Sequence, residues 1–298
     1  MKILYLGLPL GALALLRAGH SLVAACISRP TMPGMRRLRR YLAAAEAPLL
    51  GRPDLTQPAV RALLATTDPD LVVSWFWTRR VPATVLALAP LGGINVHPSL
   101  LPRHRGADPY FWTVLAGDAE TGVTAHWMNA QYDQGDILAQ RRVPVPPEVT
   151  AGRLARLLDR PSLALLGEAV SAIERGEARA AAQDPRGATD APRPTDDDCE
   201  IVWDQPVDAV LRRIRAAAPE PGAFTGFGDD TVVIGRARRA TARLRGLDAG
   251  DVVRTSEGVV VACRDGAIVV QEAQREGDVR RLVGDAVAAL FPGIAVIS

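Results

Sequence analysis

The sequence predicts an α/β protein: a mostly parallel sheet with helices on both faces, followed by a small C-terminal β-barrel. Three observations carry this. Short apolar runs alternate with helical stretches in the first part of the chain, the rhythm of strand–crossover–strand units. A Pro-, Gly- and Asp-rich stretch, QDPRGATDAPRPTDDDC, interrupts that rhythm at residues 183–199. Beyond it, short strands separated by Gly turns take over. The expected division is residues 1–182, a linker at 183–199, and residues 200–298. With 298 residues, 48% of them hydrophobic, the chain has material for about two cores.

KILYL, residues 2–6, reads as a buried strand. A Gly/Pro turn follows, then a helix at 12–18 and a strand at 21–27, SLVAACI. The turn has Gly7, Pro9 and Gly11 but not the GxGxxG spacing of a dinucleotide fingerprint, so a nicotinamide cofactor is not indicated. Residues 70–74 (DLVVS) and 93–97 (GINVH) read as central strands, with a helix at 82–88 between them. The alternating runs 121–128 and 137–145 are strands joined by the turn YDQG at 132–135. Residues 151–175 are rich in Leu and Ala and helical in pattern. After the linker, a helix at 207–217 precedes strands at 231–235, 251–254, 258–263 and 267–272.

The formal net charge is only +2, so total charge makes no case for a polyanion partner. Residues 1–196 carry 22 Lys and Arg against 17 Asp and Glu, and residues 197–298 carry 13 against 16. An acidic back part argues against a second domain built to grip nucleic acid. Cys26, Cys199 and Cys263 have neither a metal-ligand spacing nor a disulfide framework, which points to a reducing compartment. The apolar N-terminal stretch is broken by Gly7, Pro9 and Gly11 and has no small-residue cleavage site. No run of about 20 apolar residues suggests a membrane span. A cytoplasmic protein with no membrane partner is expected.

Asn95 and His97 close the strand GINVH. Residues two apart on a strand point to one side, and ligands of open α/β sheets bind beyond the carboxyl ends of the strands. An amide donor beside a group that titrates near neutrality suits addition to a carbonyl: one stabilises an oxyanion, the other manages a proton. For an isolated Asn-x-His the plain alternative is a turn cap and a satisfied buried histidine.

The neighbouring sequence changes that balance. NVHPSLLPRHRG is followed by GDAETGVT and then by YDQGDIL. These elements, in this order across residues 94–140, resemble the family of formyltransferases that use 10-formyltetrahydrofolate. The fold implied is a Rossmann-like mostly parallel sheet with a small OB-like C-terminal barrel. The resemblance implies an active-site trio of Asn95, His97 and Asp133. Asp133 would favour the protonated form of His97, Asn95 and protonated His97 would steady the oxyanion, and Asp133 would help take the proton from the attacking amine. Asp-x-Gly is also an ordinary turn. Ser99, Leu100, Leu101 and Pro102 occupy the folate-contacting stretch. Trp77, Arg79, Arg80 and Val81 stand where the pterin is received, with Trp75 and Trp77 as a candidate apolar wall. Arg105, above Arg103, and Tyr110 are assigned to the acceptor. No metal is expected, since His20, His97, His104 and His126 pair with no cysteine at ligand spacing.

Past the linker, EIVWDQPVDAVLRRIRAAAPEPGAFTGF looks like the start of the C-terminal domain of methionyl-tRNA formyltransferases and of some sugar N-formyltransferases. Three features lean away from tRNA: the acidic back part, a loop at 29–41 shorter than the long basic insert of the tRNA enzymes, and the aromatic segment SWFWTRR. The expected acceptor is therefore a small-molecule amine, on a nucleotide-linked sugar or an amino-acid-derived metabolite such as hydroxyornithine. Initiator methionyl-tRNA is the alternative. A non-catalytic folate-binding protein and a hydrolase of the formyl donor are the remaining readings. The cluster Met35-Arg36-Arg37-Leu38-Arg39-Arg40 is either an anion contact or a solvated helix face.

Overall fold

Apolar runs near the start of the chain form parallel strands linked through helices in a computed structural model that describes residues 1–241 and 246–297. In order these are β1 (Lys2–Gly7), α1 (Pro9–Arg17), β2 (Ser21–Ile27), α2 (Met35–Ala44), β3 (Leu49–Gly51), α3 (Pro58–Ala65), β4 (Leu71–Trp75), α4 (Ala83–Leu86) and β5 (Gly93–His97). Next come α5 (Pro109–Ala116), β6 (Glu120–Trp127), β7 (Ile137–Pro144) and α6 (Ala151–Glu174). The sheet order is β3-β2-β1-β4-β5-β6-β7. Strands β1 to β5 pair in parallel, and β6 and β7 are added antiparallel. This is the Rossmann-like, mostly parallel architecture, with its change of strand order between β1 and β4. All five residues of β4 are buried, as a central parallel strand requires.

Local chemistry explains where several elements differ from expectation. Helix α1 starts at Pro9, because proline fits a first helical turn whose N–H groups have no partner anyway. Helix α4 stops at Leu86 rather than running to 88, short of Pro90, which disfavours helix in the residue before it. The short strand β3 and helix α3 are additions that their few residues hid. Leu4, Leu6, Ala24, Cys26 and Val72 from the sheet, with Leu55, Leu64, Val85 and Ala89, form one core cluster.

The chain falls into two compact units. The first holds Met1–Pro109, Glu120–Pro144 and Leu157–Pro192, and the second holds Tyr110–Ala119, Val145–Arg156 and Arg193–Ser298. The second contains α7 (Asp196–Cys199), α8 (Val207–Ala217) and strands β8 (Ala223–Phe227), β9 (Asp230–Arg239), β10 (Val252–Thr255), β11 (Gly258–Cys263), β12 (Gly266–Arg275), β13 (Leu282–Val283) and β14 (Ala295–Val296). They make a second sheet of order β14-β10-β11-β12-β9-β8, with β13 on β12. No helix among the described residues is long and apolar enough to cross a membrane.

Candidate active site

Strand β5 meets β6 in antiparallel register, Asn95 opposite His126 and His97 opposite Thr124. Opposed residues of an antiparallel pair share a face, so four chemically active side chains lie side by side. Thr124 fixes the chain that leaves β5. Its hydroxyl donates to the Ser99 carbonyl (2.6 Å) and accepts from the Leu101 N–H (3.1 Å) and Gln140 Nε2 (2.9 Å). Gln140 Nε2 also donates to the Leu101 carbonyl (2.7 Å). The Pro-rich segment is thus bound to the sheet through its backbone.

The loop then returns at Gly106, whose N–H donates to Asp133 Oδ2 (3.0 Å). Gly106 has φ +125°, and a Cβ there would lie 2.7 Å from the Ala191 carbonyl oxygen. Only glycine permits both. Asp133 sits in left-handed backbone, φ 52°, which Asp tolerates. Gly135 closes the same turn against β6, where a Cβ would meet the Trp127 carbonyl oxygen at 1.8 Å. So the glycines of R-G and D-x-G are steric requirements of the site.

The three residues implied by the sequence come together. His97 Nδ1 lies 3.5 Å from Asp133 Oδ2, and the two residues are only 4% and 9% exposed. His97 Nε2 faces the His104 carbonyl at 2.8 Å. A carbonyl only accepts, so Nε2 carries the hydrogen and Nδ1 is where a proton arrives or leaves. Burial pushes the His97 pKa below its ordinary 6.5, and His126 adds to this. Asp133 and the His104 carbonyl pull upward without cancelling it. The expected charging of His97 by Asp133 is therefore outweighed by desolvation. Burial alone would raise the Asp133 carboxyl, but His97, His126 and the Gly106 N–H hold it down to about 2. Burial thus works against a charge on His97, while its neighbours favour the ionised Asp133 carboxyl.

A fourth member, His126, was not among the sequence candidates. Its Nδ1 faces the Trp127 carbonyl (2.8 Å), which assigns the hydrogen there. Its Nε2 lies 3.3 Å from Asn95 Nδ2 and 3.5 Å from Asp133 Oδ1. Strand pairing was the signal that could have found it: a strand containing AHW sits two elements after NVH.

Chain beyond 180 clasps the same loop. The Arg105 N–H donates to the Thr189 carbonyl (2.8 Å), the Ala191 N–H to the Arg105 carbonyl (2.6 Å), and the His104 N–H to Thr189 Oγ1 (2.8 Å). Gln183 Oε1 accepts from Arg105 Nε (3.0 Å) and Nη2 (2.6 Å).

The remaining sequence candidates are placed as follows. Ser99 is buried and its hydroxyl donates to the Arg103 carbonyl (2.6 Å). Leu100 lies over Gly122, Leu101 is buried, and the Pro102 carbonyl accepts from the Thr189 N–H. Trp77 and Val81 pack against the core cluster, and Trp77 Nε1 is buried without a hydrogen-bond partner. Arg79 and Arg80 are exposed, and Arg80 donates to the Ala130 carbonyl. Tyr110 opens α5, half-buried, in the second unit. Trp75 is core: it is 1% exposed and its Nε1 donates to Ser162 Oγ (2.6 Å). Among the described residues, no cluster of three or more His, Cys, Asp or Glu side chains is arranged to hold a metal.

A buried carboxylate–imidazole pair near an amide side chain, at the carboxyl end of β5, has the groups that an enzyme of carbonyl-group transfer uses. Residues 22–170 match the formyl transferase family and residues 194–281 the formyl transferase C-terminal domain. The chain belongs to the formyl transferase family. It is 35% identical to a methionyl-tRNA formyltransferase of Syntrophus aciditrophicus, across 96% of this chain and 95% of that one. It is 38% identical to the enzyme of the same name from Anaeromyxobacter dehalogenans, across 93% of each. Among solved structures, HypX from Aquifex aeolicus in complex with tetrahydrofolic acid superposes with TM-score 0.67 at 21% identity. All of this chain is matched, spanning 49% of HypX. The sugar 3N-formyl transferase WlaRD gives TM-score 0.67 at 14% identity, over 94% of this chain and 99% of WlaRD.

These relatives overturn the expectation of a small-molecule amine acceptor. The near full-length likeness is to methionyl-tRNA formyltransferases, while the sugar enzyme WlaRD shares the fold at 14% identity. The features that favoured a small acceptor do not bear on the acceptor. In the aromatic segment Trp75 is core packing and Trp77 lies against the core. A net charge averages over a surface, whereas phosphates are met by locally placed cations. Helix α2 buries Leu38 and Leu42 and leaves Arg36, Arg37, Arg39 and Arg40 exposed, none in an ion pair among the described residues.

Proposed function

We propose that this chain formylates the α-amino group of initiator methionyl-tRNA, with 10-formyltetrahydrofolate as donor. The observation that carries the reading is likeness over nearly the whole chain to enzymes named for that reaction. The four exposed arginines on α2 supply charge suited to a phosphate backbone. The compartment is that of aminoacyl-tRNA, the cytoplasm.

10-Formyltetrahydrofolate supplies a formyl carbon already bound to a nitrogen leaving group. A flat heterocycle with acceptors on its edge fits the segment after β4, where the Trp77 indole N–H is buried and unpartnered. Trp77, Arg79, Arg80 and Val81 would hold it, with the Ser99–Pro102 segment. Asn95 presents an amide N–H to the formyl oxygen, where negative charge develops as the amine attacks. The proton shed by the attacking nitrogen passes to His97 Nδ1, and the imidazolium so formed is held by the Asp133 carboxylate. That proton then goes to the departing nitrogen. Arg105 would contact the acceptor.

The test is formylation of charged initiator tRNA, followed by mass of the released amino acid. N-Formylmethionine is expected, with loss of about a hundredfold or more in His97→Ala. Folded His97→Ala retaining full activity, or an inert charged tRNA, overturns the reading.

A further inference from the structure

Gln183 lies in sequence that reads as linker, yet every polar atom of its side chain is engaged. Its Nε2 donates to the carbonyls of Asp133 and Gly135, both at 2.8 Å. Its Oε1 accepts from Arg105 Nε (3.0 Å) and Nη2 (2.6 Å). One amide therefore ties both ends of the turn carrying Asp133 to the guanidinium on the loop after His97. The amide can point only one way. Two carbonyls require N–H groups and a guanidinium requires oxygen, so the flipped amide would oppose like to like at every contact.

We propose that Gln183 is a positioning residue for formyl transfer, linking the acceptor side of the site to the proton-accepting side. It locks the left-handed turn at Asp133, and it holds Arg105 by one edge so that Nη1 is offered to an anionic oxygen of the acceptor, such as a phosphate. This rests on the formyl-transfer reading above. Acceptor position and Asp133 position are then set by one group rather than by two independent loops.

The residue type matters. Alanine would release both partners. Glutamate keeps the volume and an oxygen for Arg105, but it loses the donors to the two carbonyls and neutralises the guanidinium charge. Steady-state kinetics with methionyl-tRNA and 10-formyltetrahydrofolate separate these effects. Gln183→Ala should lower kcat and raise the KM for methionyl-tRNA about tenfold, with the folate KM unchanged. In an Arg105→Ala background the added KM effect should vanish while the kcat loss persists. Gln183→Glu, with its melting temperature measured alongside, should reproduce the kcat loss in a folded protein.

Folded Gln183 variants with wild-type kinetics overturn the proposal. So does an equal rise in both KM values, or a KM effect that simply adds to that of Arg105→Ala. The wild-type enzyme in the same assay distinguishes the two readings. Absence of wild-type turnover refutes formyl transfer to this acceptor, whereas wild-type turnover with kinetically silent Gln183→Ala refutes the positioning role.

Discussion

In the proposed mechanism His97 acts as a buried base rather than as a resting cation. Burial lowers its pKa from 6.5, and Asp133 opposes the shift without reversing it. The neutral imidazole is therefore favoured to lower pH than in a free histidine. Asp133→Asn removes an upward pull, so His97 should titrate at still lower pH. Ring resonances followed by NMR check this without interference from the acceptor amine, and a midpoint that moves upward in the variant contradicts it. Asn95, His97 and Asp133 were legible in the sequence because their spacing resembles a family pattern. His126 and Gln183 were not. Each acts through a partner far along the chain, Asn95 being 31 residues from His126 and Asp133 being 50 from Gln183. No local pattern marks a residue whose role exists only after strands and loops have been paired.

At the scale of elements, the β5–β6 pair is the frame of the site. The hydroxyl of Thr124 joins three polar groups of the Pro-rich loop and β7. Thr124→Val keeps the shape and orphans these partners in buried surroundings. The expected loss is about 2–3 kcal/mol of stability, read from the denaturant midpoint, together with reduced activity from a loosened loop. An unchanged midpoint would mean that the loop is held by its other contacts. The strands themselves were readable from alternation and apolar runs. Less readable was the stretch at 183–199, where lack of an apolar period suggested a free linker. Its first half makes backbone hydrogen bonds to the loop after β5, and of its side chains Ala191 is buried there.

For the whole molecule, net charge was a poor guide to the acceptor. The relevant quantity is the local density of exposed cations. Arg36, Arg37, Arg39 and Arg40 flank Leu38, which is buried, so the helix concentrates charge outward. Replacing the four with Gln should weaken tRNA binding and reduce the magnitude of the slope of log K against log salt by about three. Filter binding across a salt series measures this, and an unchanged slope removes α2 from the interface.

By itself the sequence determined the architecture and the reaction class, and it singled out Asn95, His97 and Asp133 as candidates. Periodicity fixes which residues are buried, and short motifs fix backbone geometry through glycines that admit no side chain. Tertiary structure alone decided the burial of His97, the placing of His126 beside Asn95 and Asp133, and the tie from Gln183 to Arg105 and Asp133. Burial, cross-strand register and long-range hydrogen bonds are properties of the assembled fold. They have no counterpart in residues read one after another.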